Sequence, residues 1–298
     1  LSAWEAGEQG DLTGVRDEIA VAKCRCTGGT ADAADGDNVA IEGWTTDSTH
    51  YIKIWTDPTE SYRHPGSWSD SKYRLTKNAD GSGPLVIKES YVYIIGLQIS
   101  TNSYSGRDWS RGVFVESGNN IYVLQCIIKK AGSNANHRGI ECSSGAGTGQ
   151  YYCNNIIYGF SGASESGIYL DNEGGTQLAY AYNNTISGCN TGILSGRWKK
   201  HDIINNIISG CTDAFSGSFR NSYNNATNNA SLGTTYAAVT ESNNHTSHTF
   251  SFVGVEDFHL QSSDTGAKGL GLNLYNDANY PFQTDIDGQD RGGSGAQW

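Results

Sequence analysis

The stretch INNIISGC (residues 204–211) places two adjacent asparagines before two isoleucines and ends in a small residue, a glycine and a cysteine. Asparagine is among the poorest strand formers, so its place directly before a β-branched pair needs an explanation. Nearly the same stretch occurs twice earlier, as CNNIIYGF (153–160) and YNNTISGC (182–189). The chain therefore contains an internal repeat.

The repeat has a regular period. Aligned on the first amide, it places residues 96, 125, 154, 183 and 205 in one register, in steps of 29, 29, 29 and 22 residues. An isoleucine follows three residues later in every copy, at Ile99, Ile128, Ile157, Ile186 and Ile208. A second column consists of short strands that begin at glycine, namely Gly112, Gly139, Gly167 and Gly192. Each repeat thus holds at least two short strands.

A unit of this size cannot bury an apolar face alone, but stacked copies form a continuous core. The pattern predicts an all-β solenoid, a single-stranded parallel β-helix whose coils lie about 4.8 Å apart. Leucine-rich repeats would need an LxxLxL pattern, and propeller blades would need about 40 residues. We expect Asn154, Asn183 and Asn205 to stack in line, with buried side chains that hydrogen-bond along the axis.

The organisation at the two ends is less regular. In the first half we predict strands at 20–26, 39–41, 52–54, 73–75, 85–87 and 92–95. Because a solenoid end exposes its core, it needs a cap. SAWE (2–5) matches a capping box, with Ser2 as N-cap and Glu5 reaching back, and opens a short helix that lays Trp4 on the first coil. We divide the chain into an N-terminal cap (1–18), the β-helix (19–260) and a C-terminal cap (261–298) that closes the far end.

Charge and composition limit the partners. The net charge of −11 and the pI near 5.0 disfavour binding to the negatively charged phosphate backbone of nucleic acids, so we expect no nucleic-acid partner. No run of 18 apolar residues occurs, so no membrane span is predicted. The seven cysteines show no metal-ligand spacing, and we interpret them as small buried stacking residues. We predict no cofactor, with Ca²⁺ kept open at the acidic turn described below.

Several segments resemble a known group of proteins. They are YIKIWTDPTESYRHPGSWSDSKYRL (51–75), YVYIIGLQI (91–99), the repeated NNxI, FSFVGVEDFHLQSSDTGAKGLG (250–271) and DIDGQDRGG (285–293). Together they resemble right-handed parallel β-helix proteins of the pectate-lyase-like superfamily, in particular uncharacterised proteins of environmental bacteria and bacteriophages. The resemblance covers nearly the whole chain and implies a right-handed β-helix. It does not specify a function, because that superfamily includes polysaccharide lyases, glycoside hydrolases, phage tailspikes and surface proteins without activity.

One basic cluster stands out in this acidic chain. Aligning the glycine-led strands places Glu116, Ser143, Asp171 and Gly196 in one column, and SGRWKKHD (195–202) follows the last of them. Beside the acids of DNEGG (171–175), this cluster could form a Ca²⁺-and-arginine site or a groove in which an aromatic ring stacks on a sugar. The alternative is a solvated turn with ion pairs between coils. The candidate carbohydrate-binding residues are Asp171, Glu173, Arg197, Trp198 and Lys199; no catalytic or metal residue is assigned.

Two further groups of charged residues each allow a structural and a functional interpretation. Arg111 and Arg138 precede equivalent glycines on consecutive coils, and stacked like charges need a carboxylate or an anion between them. We favour pairing with Glu116 and Glu141 over a role in substrate binding. The string D-x-D-G-x-D at 285–290 begins like an EF-hand loop but lacks the glutamate at position 12, so we interpret it as a turn.

Two functions remain open from the sequence. The first is a structural or binding module on a virion or cell surface, a decoration or spike-like component that engages glycans or capsid, tail or surface proteins, as a monomer or homo-oligomer. The alternative is a secreted polysaccharide lyase or glycoside hydrolase that acts on an acidic polysaccharide. No catalytic motif can be matched residue by residue, which favours the first and an extracellular or virion-surface location.

Overall fold

The computed structural model describes residues 1–14, 16–26, 34–79, 83–103, 110–132, 136–171, 178–196, 200–281 and 283–293. Within these ranges the chain forms one short helix, Ser2–Glu8, and three sheets in which all the paired strands run parallel. The protein is a parallel β-helix, as the sequence predicts.

Sheet 1 has nine strands, in spatial order Ala20–Lys23, Ile52–Trp55, Val92–Ile95, Ile121–Leu124, Thr148–Cys153, Leu178–Tyr182, Asp202–Ile204, Ser218–Tyr223 and Ala237–Ser242. Sheet 2 has eight strands, Ala34–Asp35, Arg74–Ala79, Gln98–Ser103, Ile127–Lys130, Ile156–Tyr158, Thr185–Ser187, Ile207–Ser209 and Ala226–Thr227. Sheet 3 has seven strands, Val39–Ile41, Leu85–Ile87, Ser110–Val115, His137–Cys142, Ser166–Leu170, Thr191–Ser195 and Asp213–Ser216. Each regular coil contributes one strand to each sheet, in the order sheet 1, sheet 2, sheet 3.

The predicted isoleucine column forms the core side of sheet 2. Its members pair in register on consecutive coils, and all of them are fully buried: Ile99, Ile128, Ile157, Ile186 and Ile208. Leu75 extends the column by one coil and Thr227 follows it at the other end. Identical side chains repeat because each coil offers the next coil a packing position of the same size and shape.

The isoleucines explain the glycine column of sheet 3. A Cβ atom on Gly139 would lie 2.5 Å from Ile157 Cγ2 and 2.5 Å from the carbonyl oxygen of Gly167. Gly112, Gly167 and Gly192 face their own isoleucines in the same way, at 2.5 to 2.7 Å. The two columns identified in the sequence are therefore two sides of one contact across the core.

The cysteines behave as predicted. All seven are buried and none forms a disulfide. Burial raises the pKa of the Cys126 thiol to about 11, so this side chain is an uncharged packing group.

The helix covers the first coil, but the predicted capping box is wrong. Leu1 is the N-cap, no side chain of a described residue caps the helix, and Ser2 donates its hydroxyl to Asp37. The Glu5 carboxylate turns instead to the coil beneath it, where it accepts hydrogen bonds from the indole of Trp44 at 2.8 Å and the backbone N–H of Glu42 at 3.1 Å. As predicted, Trp4 packs on this coil; its ring stacks on Trp44 with centroids 5.6 Å apart.

The last coils extend beyond the predicted repeats. Residues Asn224 and Asn243 continue the register that passes through Asn205, with two further coils of 19 residues each. Their sequences keep the NN pair but lack the isoleucine, since Thr227 takes its place opposite Ile208. In the part of the chain that the structure describes, no helix is long and apolar enough to span a membrane.

Candidate functional site

Sheets 1 and 2 are joined on every regular coil by two residues, and these pairs stack into two rows. The outer row consists of the first residues, Gly96, Gln125, Asn154, Asn183, Asn205, Asn224 and Asn243. The inner row consists of the residues that follow them, Leu97, Cys126, Asn155, Asn184, Asn206, Asn225 and Asn244.

The outer row has a left-handed backbone. Its φ angles lie between 52° and 70°, a region that costs other L-residues about 1–2 kcal/mol and that asparagine and glycine tolerate. The backbone therefore explains why asparagine precedes the isoleucines.

The inner row is a hydrogen-bonded amide ladder. Asn184 donates from Nδ2 to Asn206 Oδ1 at 3.0 Å and accepts at Oδ1 from Asn155 Nδ2 at 3.0 Å. The same bond links Asn206 to Asn225 and Asn225 to Asn244, at 2.9 Å each. Asn154, Asn183 and Asn205 stack in line, as predicted. The prediction that their side chains bond along the axis was wrong by one residue, because the left-handed turn directs the first amide outward and the second amide forms the ladder.

The outer row instead holds the C-terminal strap (residues 258–281 and 283–291). Asn205 binds Leu272 twice: its Nδ2 donates to the Leu272 carbonyl oxygen and its Oδ1 accepts from the Leu272 N–H, both at 2.7 Å. Asn224 donates to the carbonyl oxygen of Leu270 at 2.8 Å, and Asn154 donates to that of Thr284 at 2.5 Å. We expected this segment to close the far end of the solenoid; these contacts place it along the side.

A second segment covers the earlier part of the same row. Arg63 lies against Gly96, where a Cβ atom would collide with the guanidinium, and it donates to Gln125 Oε1 at 3.0 Å. His64 Nε2 donates to the Gln125 carbonyl oxygen at 2.9 Å, while its Nδ1 accepts from the N–H of Gly66. Burial lowers the pKa of His64 to about 3, which keeps this ring neutral.

Asn183 lines a groove that the strap leaves open. It lies between Asn154 and Asn205, which are both anchored, yet among the described residues its buried Nδ2 has no hydrogen-bond partner. Around it is a groove of about 430 Å³ between the coils and the strap. Its walls carry amides of both rows, apolar side chains that include Phe258 and Ile286, and the charged residues Lys268, Asp285, Asp290 and Arg291.

A histidine clasp closes one side of this groove. His259 lies between two carboxylates, with Nε2 2.9 Å from Asp287 Oδ2 and Nδ1 2.5 Å from Asp257 Oδ1. The hydrogen bond to Asp287, with that to Asp257, raises the pKa of His259 to about 9, so the ring is an imidazolium at neutral pH. Gly66 (φ 74°) packs against the pair; a Cβ atom there would lie 2.3 Å from both Asp287 and His259.

A stack of tyrosines lies next to the strap on the outer face of sheet 1. Tyr93, Tyr122, Tyr151 and Tyr180 follow one another with ring centroids 4.2 to 4.9 Å apart and nearly parallel planes. Tyr280 of the strap packs on two of these rings. Because the rings cover each other's faces, this stack stabilises the solenoid and leaves little ring face for a sugar.

The predicted carbohydrate-binding residues lie on another turn. The column Glu116, Ser143, Asp171 and Gly196 exists, since the last three donate backbone N–H groups to the preceding coil at 2.8 to 2.9 Å. It follows sheet 3, whereas the groove lies between sheets 1 and 2. Asp171 is half-buried; Glu173, Arg197, Trp198 and Lys199 lie outside the described residues. The structure therefore does not bring the described member of this set into the groove.

The other charged groups have structural partners. Glu141, 5% exposed, accepts from Arg111 Nε at 2.7 Å and from Arg138 at 2.6 Å, so it is the partner of both arginines. It is one of the two carboxylates that we favoured, Glu116 and Glu141.

The string at 285–290 is a turn, as interpreted. Asp285 Oδ1 accepts from the N–H groups of Asp287 and Gln289. In the described ranges, no three His, Cys, Asp or Glu side chains are grouped so that they could hold a metal ion.

The groove was not predicted from the sequence, although its components were visible. Asn183 was identified within the repeat, and the strap segments contributed to the resemblance, but nothing in the sequence indicated that they meet across about a hundred residues of chain. No family model matches this chain, and no curated protein is significantly similar to it in sequence.

Proposed function

We propose that this protein is a structural β-helix module of a virion or cell surface that binds a glycan in the groove at Asn183. The observation that carries the proposal is the groove itself, whose walls combine amides of both rows, apolar side chains and charged residues. A volume of about 430 Å³ falls within the range of about 300–1,000 Å³ for small-molecule sites. The surface location rests on the resemblance to pectate-lyase-like β-helix proteins.

The groove carboxylates favour binding over catalysis. Hydrolysis of a glycosidic bond needs two carboxyl groups that are free to face the bond. Of the two carboxylates that line the groove, Asp285 holds its own turn and Asp290 accepts from the N–H of Gly292 at 2.9 Å; Asp287, between them in sequence, pairs with His259. These side chains are committed to the strap, which suits a rigid binding surface.

Titration with a panel of neutral and acidic oligosaccharides tests the proposal. We expect at least one glycan class to bind the wild-type protein and to lose at least tenfold in affinity with Asn183→Ala. Asn243→Ala is the matched control, because Asn243 has the same left-handed backbone (φ 52°) and is exposed outside the groove. Equal losses in both variants, or no binding by any glycan, would reject the proposal.

A second assay addresses the enzymatic alternative. Incubation with polyuronates and Ca²⁺ should give no unsaturated products that absorb in the ultraviolet. Turnover that Arg197→Ala abolishes would identify a lyase and replace the proposal.

A further inference from the structure

We infer that Cys189 and Cys211 form a modification site, a pair of thiols that a peroxide oxidises to a disulfide between consecutive coils. The inference does not depend on the proposed glycan binding. It starts from the tripeptide Ser-Gly-Cys, which occurs at 187–189 and again at 209–211. The repeat places a cysteine at the same point of two successive coils.

The strand register brings the two cysteines side by side. Two residues before them, Ser187 pairs with Ser209, and two residues after them, Thr191 pairs with Asp213. Neighbouring strands of a sheet lie about 4.8 Å apart, which falls within the Cα separation of about 4.4–6.8 Å that a disulfide spans. A bond between the two sulfur atoms therefore requires no rearrangement of the coils.

The local contacts favour this bond. The Cys211 Sγ accepts a hydrogen bond from the Cys189 N–H at 3.4 Å, so the sulfur lies against the other cysteine. Each cysteine follows a glycine with a left-handed backbone, Gly188 (φ 60°) and Gly210 (φ 63°). A Cβ atom on Gly188 would have no neighbour within 4 Å. The backbone before the cysteines thus has room for the small shift that would bring the sulfur atoms together.

The other cysteines lack such a partner. All seven lie within the described ranges, and only Cys189 and Cys211 occupy equivalent positions of consecutive coils. Cys142 and Cys153 have no cysteine at the paired positions of the adjacent strands. Cys126 is the one cysteine of the inner row. The geometry therefore selects one pair.

Cys211 is the thiol that reacts first. The Cys189 side chain lowers the pKa of the Cys211 thiol against the effect of burial, and the hydrogen bond from the Cys189 N–H acts in the same direction. Burial raises the pKa of the Cys189 thiol. The thiolate is the nucleophilic form of cysteine, so Cys211 is the attacking group and Cys189 resolves the product.

The oxidation proceeds in two balanced steps. The Cys211 thiolate attacks one oxygen of hydrogen peroxide, the O–O bond breaks, and the leaving hydroxide takes up the thiol proton, which gives a sulfenic acid and water. The Cys189 sulfur then attacks the Cys211 sulfur, the S–O bond breaks, and the hydroxide leaves as water with the Cys189 proton. The two thiols lose two electrons, which the peroxide gains. Cys211 keeps 7% of its surface exposed, and peroxide is nearly as small as water.

Peptide mapping tests the inference. The folded protein is treated with hydrogen peroxide, its remaining thiols are alkylated in urea, and the chain is digested with chymotrypsin without reduction. Cleavage after aromatic residues and leucine gives the peptides 183–194 and 199–215, each with one cysteine. We expect mass spectrometry to find these two peptides linked, about tenfold more often than any other cysteine pair. Dithiothreitol should restore both thiols.

Two variants provide the matched comparison. Cys211→Ala should remove the link and leave Cys189 as a free thiol, whereas Cys126→Ala, which removes a buried cysteine elsewhere in the core, should retain the link. The wild-type map remains decisive if either variant fails to fold.

Three results would overturn the inference. Sulfinic or sulfonic acid at Cys211 beside a free Cys189 would mean that the two sulfur atoms do not meet. Two unmodified thiols, under conditions that oxidise the urea-unfolded protein, would mean that the pair does not react in the fold. Equal amounts of several cysteine pairs would mean that the register does not select this one. None of these results bears on glycan binding.

Discussion

The inner and outer rows contain the same residue type on the same coils, yet they are two different structures. Asn184 in the inner row is fully buried, and its carboxamide makes four hydrogen bonds to neighbouring coils. Asn183 beside it is partly exposed, has a left-handed backbone and faces the groove. A repeated dipeptide can therefore combine a stabilising ladder with an outward row that is available for binding. The backbone conformation determines which of the two residues turns inward to the ladder and which turns outward.

The largest effect is expected in the inner row. Asn184→Ala removes the partners of the Asn155 side chain and N–H and of the Tyr152 carbonyl oxygen, all of them buried. Each unsatisfied buried group costs about 1–3 kcal/mol, so we expect a loss of about 3–5 kcal/mol in the free energy of unfolding. Urea denaturation monitored by circular dichroism measures it.

The adjacent residue provides the control for this prediction. Asn183→Ala makes the same substitution in the outer row. Its main cost is that alanine tolerates the left-handed backbone less well than asparagine does, so we expect a loss of about 1 kcal/mol in the free energy of unfolding. Equal losses at residues 183 and 184 would contradict the distinction between the rows.

An intermediate effect is expected where the outer row holds the strap. Asn205→Gly keeps the left-handed backbone accessible but removes both hydrogen bonds to Leu272. These bonds are partly exposed to water, so we expect a loss of about 1–2 kcal/mol. Hydrogen exchange should show faster exchange at Leu272 and little change in sheet 2. Unchanged exchange at Leu272 would mean that the strap does not depend on this anchor.

The sequence was sufficient for the parts of the fold that depend on neighbouring coils. The 29-residue period predicted the stack, the isoleucine column and the glycine-led strands, because a solenoid converts a sequence period into contacts. It placed the strands at 39–41, 85–87 and 92–95 with the observed bounds. The β-helix was predicted to run to residue 260, but the repeat alignment stopped at Asn205, because the last two coils keep the asparagines without the isoleucine.

The sequence was not sufficient to predict the parts of the structure that depend on the backbone conformation or on a segment distant in the chain. Both asparagines of a pair look alike, and only the positive φ shows which side chain turns inward. The strap meets the outer row at sequence separations of 46 to 130 residues, without any periodic signal. Glu5 matched a local capping pattern, but its carboxylate instead accepts a hydrogen bond from the indole of Trp44, 39 residues away. The groove depends on such contacts and so could not be predicted.

A smaller, pH-dependent effect is expected at the histidine clasp. The pKa of His259 is raised from its ordinary value near 6.5 to about 9, so its contribution to stability is complete below about pH 6.5 and is lost as the pH rises through about 9. The melting temperature of His259→Gln should therefore lie below that of the wild type at pH 6 and converge with it at pH 10. We expect a smaller loss than in Asn205→Gly, because the imidazole is 32% exposed. A difference that grows above pH 9 would contradict this sign.

The smallest effect is expected at Asn183 itself. Asn183→Gly keeps the left-handed backbone and removes a carboxamide whose Nδ2 has no hydrogen-bond partner among the described residues. Glycine adds conformational freedom to the unfolded chain, which destabilises by a few tenths of a kcal/mol, while removal of the unsatisfied Nδ2 acts in the opposite direction. We expect a net change within about 0.5 kcal/mol in urea denaturation, well below that of Asn205→Gly, which makes the same substitution one coil away. A loss as large as that at Asn205 would mean that Asn183 already has a stabilising partner in the free protein, and the groove would then be closed rather than ready to bind.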